Sequence, residues 1–333
     1  MSRIVNGSAR VGGDFQRRVR EAARELRIDI HQTVRSRAIA FVLSNREMLH
    51  SFHSKILVGS QSQCASRGWD MLFLCFQYPA DLLWKDLHLP VVLRRRDVAR
   101  AVILAGNNSD NLLTALTDRG CPFAVLGNNL MGGPPAKGGD VVYSDDVHGA
   151  YEITRYLQTL GHTQIWCVGN SRLPWLARCF EGYRRAMKEA GLESREQDVD
   201  SVNEQEVGYL GTKSILTRGG AVTAIFAGTD PIAAGVYKAA ADCGLRIPEN
   251  LSVAGCNDTY GELLEPRLTT IREFPEQLGK QLVDLMFTRI EQPDLPPRTI
   301  TVPTELIKRE SCRPIFSGLT ASPVQSEHKY VPA

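Results

Sequence analysis

The sequence predicts an α/β fold of doubly wound parallel sheets. Three observations carry that expectation. From residue 37 onward short apolar runs alternate with amphipathic helical stretches; the seven runs exceed what one compact sheet usually holds; and a Gly/Pro-rich stretch, Met131 to Gly139, interrupts the alternation after the fourth run. Such alternation puts helices on both faces of a parallel sheet, because a parallel strand pair needs a crossover and the crossover is usually a helix.

The elements follow in order. RAIAFVLS reads as a buried strand ending at Ser44 and Asn45, followed by an amphipathic stretch over 51–67 and the strand MLFLCF. RAVILAG, a helical stretch over 110–119 and PFAVLGN come next, leaving Asn128 and Asn129 at the end of the fourth strand. VVYSDD then crosses towards a second group, in which helices over 147–160, 175–190 and 230–243 alternate with QIWCVGN, VTAIFAG and NLSVAGC. After RLTTIRE, a helix from about 275 to 291 is followed by Pro293, Pro296 and Pro297 and then by RTITVPTELIKRES. The stretch from about 314 to 333 is Ser/Pro-rich and is expected to be disordered.

The front of the chain differs from the rest. Phe15, Val19, Ala22, Ala23 and Leu26 recur at helical spacing, Gly12 can cap the helix, and Asp14 suits the positive end of its dipole. Arg17, Arg18, Arg20, Arg24 and Arg27 lie on its other side. Residues 1–46 hold ten arginines and four acids against a whole-chain net charge of +2, so the remainder is mildly acidic. A basic front end on an acidic body fits nucleic-acid contact confined to the N-terminus.

These segments resemble the LacI/GalR family of bacterial transcription regulators over nearly all of residues 1–313. Ser2 to Ser8 resembles the end of that family's second helix and RRVREAAREL its third; FEGYRRAMKEAGL, GTDPIAAGVYKAAADCGLRIPENLSVAGCND and PTELIKRESC are similar to its body. The resemblance implies a two-lobed fold like that of periplasmic binding proteins, preceded by an incomplete helical DNA-binding domain and linker over 1–36. It implies an N-terminal lobe of 37–143 plus 272–296 and a C-terminal lobe of 144–271 plus 297–313, joined by three chain passages. Operator DNA, a small polar effector such as a sugar or sugar derivative, and a second copy of the chain are the implied partners. In that arrangement Arg3 reads a base edge in the major groove, and Ser2, Asn6 and Arg10 are the accompanying DNA contacts.

Roughly twenty residues of a bracing first helix are not in the sequence, so specific operator binding is expected to be weak or absent. A start codon assigned too late would account for that; a regulator that has lost DNA binding is the rival. The linker Ile28 to Ser36 is also shorter than the family's and lacks its Ala-Arg-x-Leu core.

For the effector cleft the candidates are Ser44, Asn45, Phe52, Asn128, Trp175, Arg178, Asp230 and Asn257, all at or just beyond strand ends. Plain packing remains open for Phe52 and Trp175, and Asp230 reads equally as a helix N-cap. Two positions depart from the family. Cys179 stands where it usually has an arginine, with Arg178 about 100° round the helix, and Asn257 stands where it commonly has an acid. An amide there keeps hydrogen bonding and loses charge.

Catalytic patterns such as GxSxG, HExxH, Walker A and GxGxxG are absent, so no enzyme activity, cofactor or metal is expected. His50 and His53 could share a helix face but lack a third ligand nearby. Eight cysteines occur singly and read as reduced thiols. No apolar run is long enough for a bilayer, and no signal-peptide pattern opens the chain; a cytoplasmic protein is expected. The competing function is a solute-binding module that uses the same lobes without DNA.

Overall fold

The computed structural model describes residues 18, 21–22, 37–46, 48–131, 138–219 and 222–315. The expected DNA contacts Ser2, Arg3, Asn6 and Arg10, the linker, and nearly all of the C-terminal tail lie outside the described residues.

The first part of the chain runs β1 (Ala38–Ser44), α1 (Ser51–Ser66), β2 (Asp70–Phe76), the single turn α2 (Val91–Arg94), β3 (Ala101–Leu104), β4 (Asn108–Ser109), α3 (Asp110–Asp118), β5 (Phe123–Leu126), β6 (Leu130–Met131) and β7 (Asp140–Ser144). Next come α4 (Asp146–Thr159), β8 (Ile165–Gly169), α5 (Pro174–Glu189), β9 (Arg195–Asp198), α6 (Glu204–Thr217), β10 (Ala224–Ala227), α7 (Asp230–Asp242), β11 (Ser252–Cys256) and β12 (Thr269–Arg272). The chain closes with α8 (Pro275–Glu291), β13 (Thr299–Val302) and β14 (Glu305–Ile307).

Two six-stranded sheets result, ordered β13-β7-β5-β3-β1-β2 and β14-β12-β11-β10-β8-β9. Every pairing in them is parallel except β12 with β14. Strand β1 reads as an unbroken apolar run because both of its faces are covered. Ile39 and Phe41 pack with Ile56 of α1 and Leu278, Leu282 and Met286 of α8, whereas Ala40 and Val42 pack with Leu112 and Leu116 of α3. The second sheet repeats the arrangement. Cys167 and Phe226 pack with Phe180 and Tyr183 on one side, and Val168 and Ile225 with Val207, Ile232 and Val236 on the other.

In each lobe one pair of helices crosses with a glycine of each helix set against the backbone of the other. A Cβ on Gly59 of α1 would lie 2.2 Å from the Glu276 carbonyl oxygen, and one on Gly279 of α8 would lie 2.2 Å from that of Ile56. In the other lobe Gly208 of α6 and Gly235 of α7 have the same reciprocal relation, at 1.9 Å from the oxygen of Ile232 and 2.0 Å from that of Gln205. A side chain at any of the four would force the helices apart.

One lobe boundary differs from the sequence expectation. Strand β13 pairs with β7 in the first sheet, so the third passage between lobes lies between Val302 and Glu305 rather than near residue 297. Pro303 has no N–H for a ladder and separates β13 from β14 within RTITVPTELI. The other two passages join β7 to α4 and β12 to α8.

Candidate functional site

The carboxyl ends of the two sheets face each other, which is where open α/β sheets place ligands. Residues that follow β1, β3, β5 and β7 form one wall, and those that follow β8, β10, β11 and β12 form the other.

On the first wall several expected residues are engaged with their neighbours. Ser44 is fully buried and its hydroxyl donates to Asn108 Oδ1. Asn45 takes a left-handed turn (φ 49°), and its Oδ1 accepts from the Tyr78 amide at 2.9 Å. Asn128 is held more completely. Its Nδ2 donates to the Ser144 carbonyl at 3.0 Å and to Asp146 at 2.7 Å, and its Oδ1 accepts from the Ser144 amide at 2.8 Å. Phe52 packs on the first core and meets the His53 ring edge-on at 5.6 Å between centroids.

His53 itself is buried beside Asn129, whose Nδ2 donates to the Ala105 carbonyl and to His53 Nε2 at 2.9 Å. Burial pushes the ring well below its ordinary pKa, and the nearby Arg46 charge adds to that effect, so the imidazole is neutral at pH 7. With Nε2 accepting, the proton sits on Nδ1, which has no partner among the described residues. Arg46 Nε and Asn107 Oδ1 are buried at the same edge and are likewise unpartnered there. Buried polar atoms are normally paired, so this edge holds two donors and an acceptor suited to a bound polar molecule.

On the second wall Asp230 is not the helix cap. Thr229 caps α7 through its hydroxyl, and the buried Asp230 carboxylate accepts from the Thr270 hydroxyl at 2.6 Å and the Tyr260 amide at 3.0 Å. Asn257 and Asp258 are both left-handed (φ 87° and 49°), a conformation that short amide and carboxylate side chains tolerate. Asn257 Oδ1 accepts from Thr259, while Asp258 is gripped by Arg272 at 2.7 Å and Arg309 at 2.8 Å. Arg178 reaches Asp146 through Nε (2.8 Å) and Nη2 (2.7 Å) and lies over the Tyr143 ring at 4.8 Å; it thus binds the passage between lobes. Cys179 is buried with its thiol towards the Gly228 carbonyl.

Trp175, the second residue of α5, carries the Arg46 guanidinium over its ring at 4.5 Å. The Glu204 carboxyl lies beside the same indole and the Thr229 hydroxyl. Burial lowers Arg46 to about 10, a shift that Glu204 opposes, so the guanidinium stays charged at neutral pH.

Arg46, His53, Asp146, Glu204 and Glu273 were not among the site residues expected from sequence. Arg46 follows Ser44-Asn45 directly and Glu273 follows TTIR, so nearness to a strand end was the available signal.

Burial pushes Glu273 up to about 7, helped by the charges of Asp146 and Asp230; burial likewise raises Asp230 to about 7, with Asp258 adding to it. A carboxyl that keeps its proton longer when folded makes stability fall as pH rises, here from the unfolded values near 4 to about 7. His53 and His162, both lowered by burial, act in the opposite sense. The informative quantity is therefore a difference. Glu273→Gln is expected to gain urea-midpoint stability over the wild type progressively between pH 4.5 and 7.5; parallel profiles would show that Glu273 does not titrate there.

No helix among the described residues is long and apolar enough to cross a membrane. The periplasmic binding protein-like domain family matches residues 154–312. The chain is similar to the HTH-type transcriptional repressor PurR of Pasteurella multocida, at 27% identity over 94% of each protein. It is also similar to the HTH-type transcriptional regulator DegA of Bacillus subtilis, at 26% identity over 95% of this chain and 94% of that one. Among solved structures, the transcriptional regulator CelR–cellobiose complex has a TM-score of 0.71 at 24% identity, covering 93% of this chain and 94% of the other. Two six-stranded sheets, parallel but for one edge pairing, three passages between them and relatives matched over about 94% of their length lead to one conclusion: the chain has the fold of the LacI/GalR family of transcription regulators and is similar to such regulators over most of its length.

Proposed function

We propose that the protein is a DNA-binding transcriptional repressor controlled by a small polar effector, a sugar or sugar derivative, bound between the lobes. Closure of the lobes on the effector changes the spacing of DNA-binding segments in a homodimer and so couples the two sites. The carrying observation is the set of buried polar atoms at the carboxyl edge of the first sheet that lack a partner among the described residues, Arg46 Nε, His53 Nδ1 and Asn107 Oδ1, with the Arg46 guanidinium stacked on Trp175 of the other lobe. A hydroxyl-rich ligand supplies acceptors and a donor for those atoms and a ring face for the indole. The regulator names of PurR and DegA, and the cellobiose in the CelR structure, support both halves of the proposal. The action is regulatory rather than catalytic, and the protein works in the cytoplasm, where operator DNA is.

Calorimetric titration with a panel of mono- and disaccharides including cellobiose tests the effector half. At least one sugar is expected to bind, and Asn107→Leu and His53→Phe are each expected to weaken that sugar about tenfold, the cost of one lost hydrogen bond in a buried site. A sugar held equally by wild type and both variants would place the site elsewhere.

A further inference from the structure

The passages between lobes and the contact of Arg46 with Trp175 lie at opposite ends of the cleft. In the first sheet the passages leave β7 and β13 at one end of the order, whereas Arg46 follows β1, three positions from β7 and next to the other edge. In the second sheet they join β12 and β14, whereas Trp175 follows β8, and Glu204 follows β9 at the far edge. At the usual strand spacing, β1 is about 14 Å from β7. A contact placed there has a long lever arm against rotation about the passages.

The chemistry suits a fastening. The guanidinium is planar, stacks on the indole at 4.5 Å, and has the Glu204 carboxyl close by to balance its charge. Yet its Nε is buried without a partner, so the fastening is incomplete and a ligand acceptor can outcompete it. His50, which begins the segment leading into α1, is the other basic group near Glu204 and is exposed.

We infer that Arg46 is a tethered occupant of the cleft, which latches the lobes by stacking on Trp175 beside Glu204 and which the effector must displace from the indole. The inference rests on the cleft being the effector site only for that last step; the latch itself operates without ligand. Arg46 therefore sets the threshold of the response: a weaker latch leaves the free protein more open and the Trp175 face vacant.

The test uses the full chain without any sugar. Small-angle scattering of the wild type, Arg46→Gln and Arg46→Lys is combined with acrylamide quenching of Trp175, whose signal is isolated by subtracting that of Trp175→Phe. Arg46→Gln is expected to shift to a larger radius of gyration and to lose the protection of Trp175, with Arg46→Lys in between, because a lysine keeps the charge and loses the plane. Circular dichroism and the urea midpoint show that each variant is folded. Scattering and quenching identical in wild type and Arg46→Gln would overturn the latch, as would a wild type whose Trp175 is already freely quenched. Neither readout depends on whether a sugar binds, so failure of the effector proposal is seen separately.

Discussion

Arg289→Leu is expected to destabilise the protein by about 3–5 kcal/mol, the cost of leaving one member of a buried ion pair without its partner. Asp140 is completely buried at the start of β7, and Arg289 is almost so at the end of α8. The carboxylate accepts from Arg289 Nη2 at 2.9 Å and Nε at 3.2 Å and from the Arg298 amide at 2.8 Å. The same guanidinium holds the carbonyls of Pro293, Leu295 and Pro296, and thereby the segment that delivers β13 to the edge of the sheet. Losing it strands a charge and loosens that segment together. Asp140→Asn is expected to cost less than Arg289→Leu, because an amide leaves no buried negative charge and still accepts a hydrogen bond. Urea unfolding checks both; an Arg289→Leu variant within about 1 kcal/mol of wild type would mean that the pair contributes little beyond packing.

Gly59→Val is expected to cost about 3 kcal/mol or more, above the usual range for an overpacked core. The atoms its Cβ would meet are the Glu276 carbonyl oxygen at 2.2 Å and Glu276 carbon atoms at 2.7 Å, and a backbone cannot rotate aside as a side chain can. Helix α1 must move off α8, and Ile56, Leu278 and Leu282 then separate as a group. Gly191→Ala is the matched control. Gly191 also resists substitution, but only through its φ of +67°, with nothing within 4 Å of the added atom, so about 1–2 kcal/mol is expected. Similar losses at the two positions in urea or thermal unfolding would contradict the close-crossing argument.

The sheets were legible because burial on both faces writes itself into sequence as unbroken apolar runs. RAIAFVLS became β1 almost residue for residue, and the central AIFA of VTAIFAG became β10. Strand direction, too, followed from the alternation with helices. The cleft was legible only as a set of strand ends. Asn128, Arg178 and Asp230 stand at those ends, but their polar atoms are directed to Ser144, Asp146 and Thr270, and no spacing rule encodes such pairings across 16 to 40 residues. Arg46 escaped notice for the converse reason: a long flexible side chain after a strand end can point anywhere until the opposing lobe supplies an indole. Cys179 lacks any charge for the cleft, and the structure gives the neighbouring Arg178 to the passage between lobes. The separation of β13 from β14 was legible in principle, since Pro303 decides it.

Because the polypeptide passes between the halves three times, neither half is a contiguous stretch of sequence. Residues 299–302 finish one sheet and 305–307 finish the other. A premature stop after about residue 295 would strip an edge from both sheets at once, and no single cut yields an intact half. During synthesis the earlier half must wait, its α8 cover and outer strand still unmade, until nearly all the message has been translated. Vulnerability to aggregation is thus concentrated late in translation, and truncated products are candidates for proteolysis rather than for partial function.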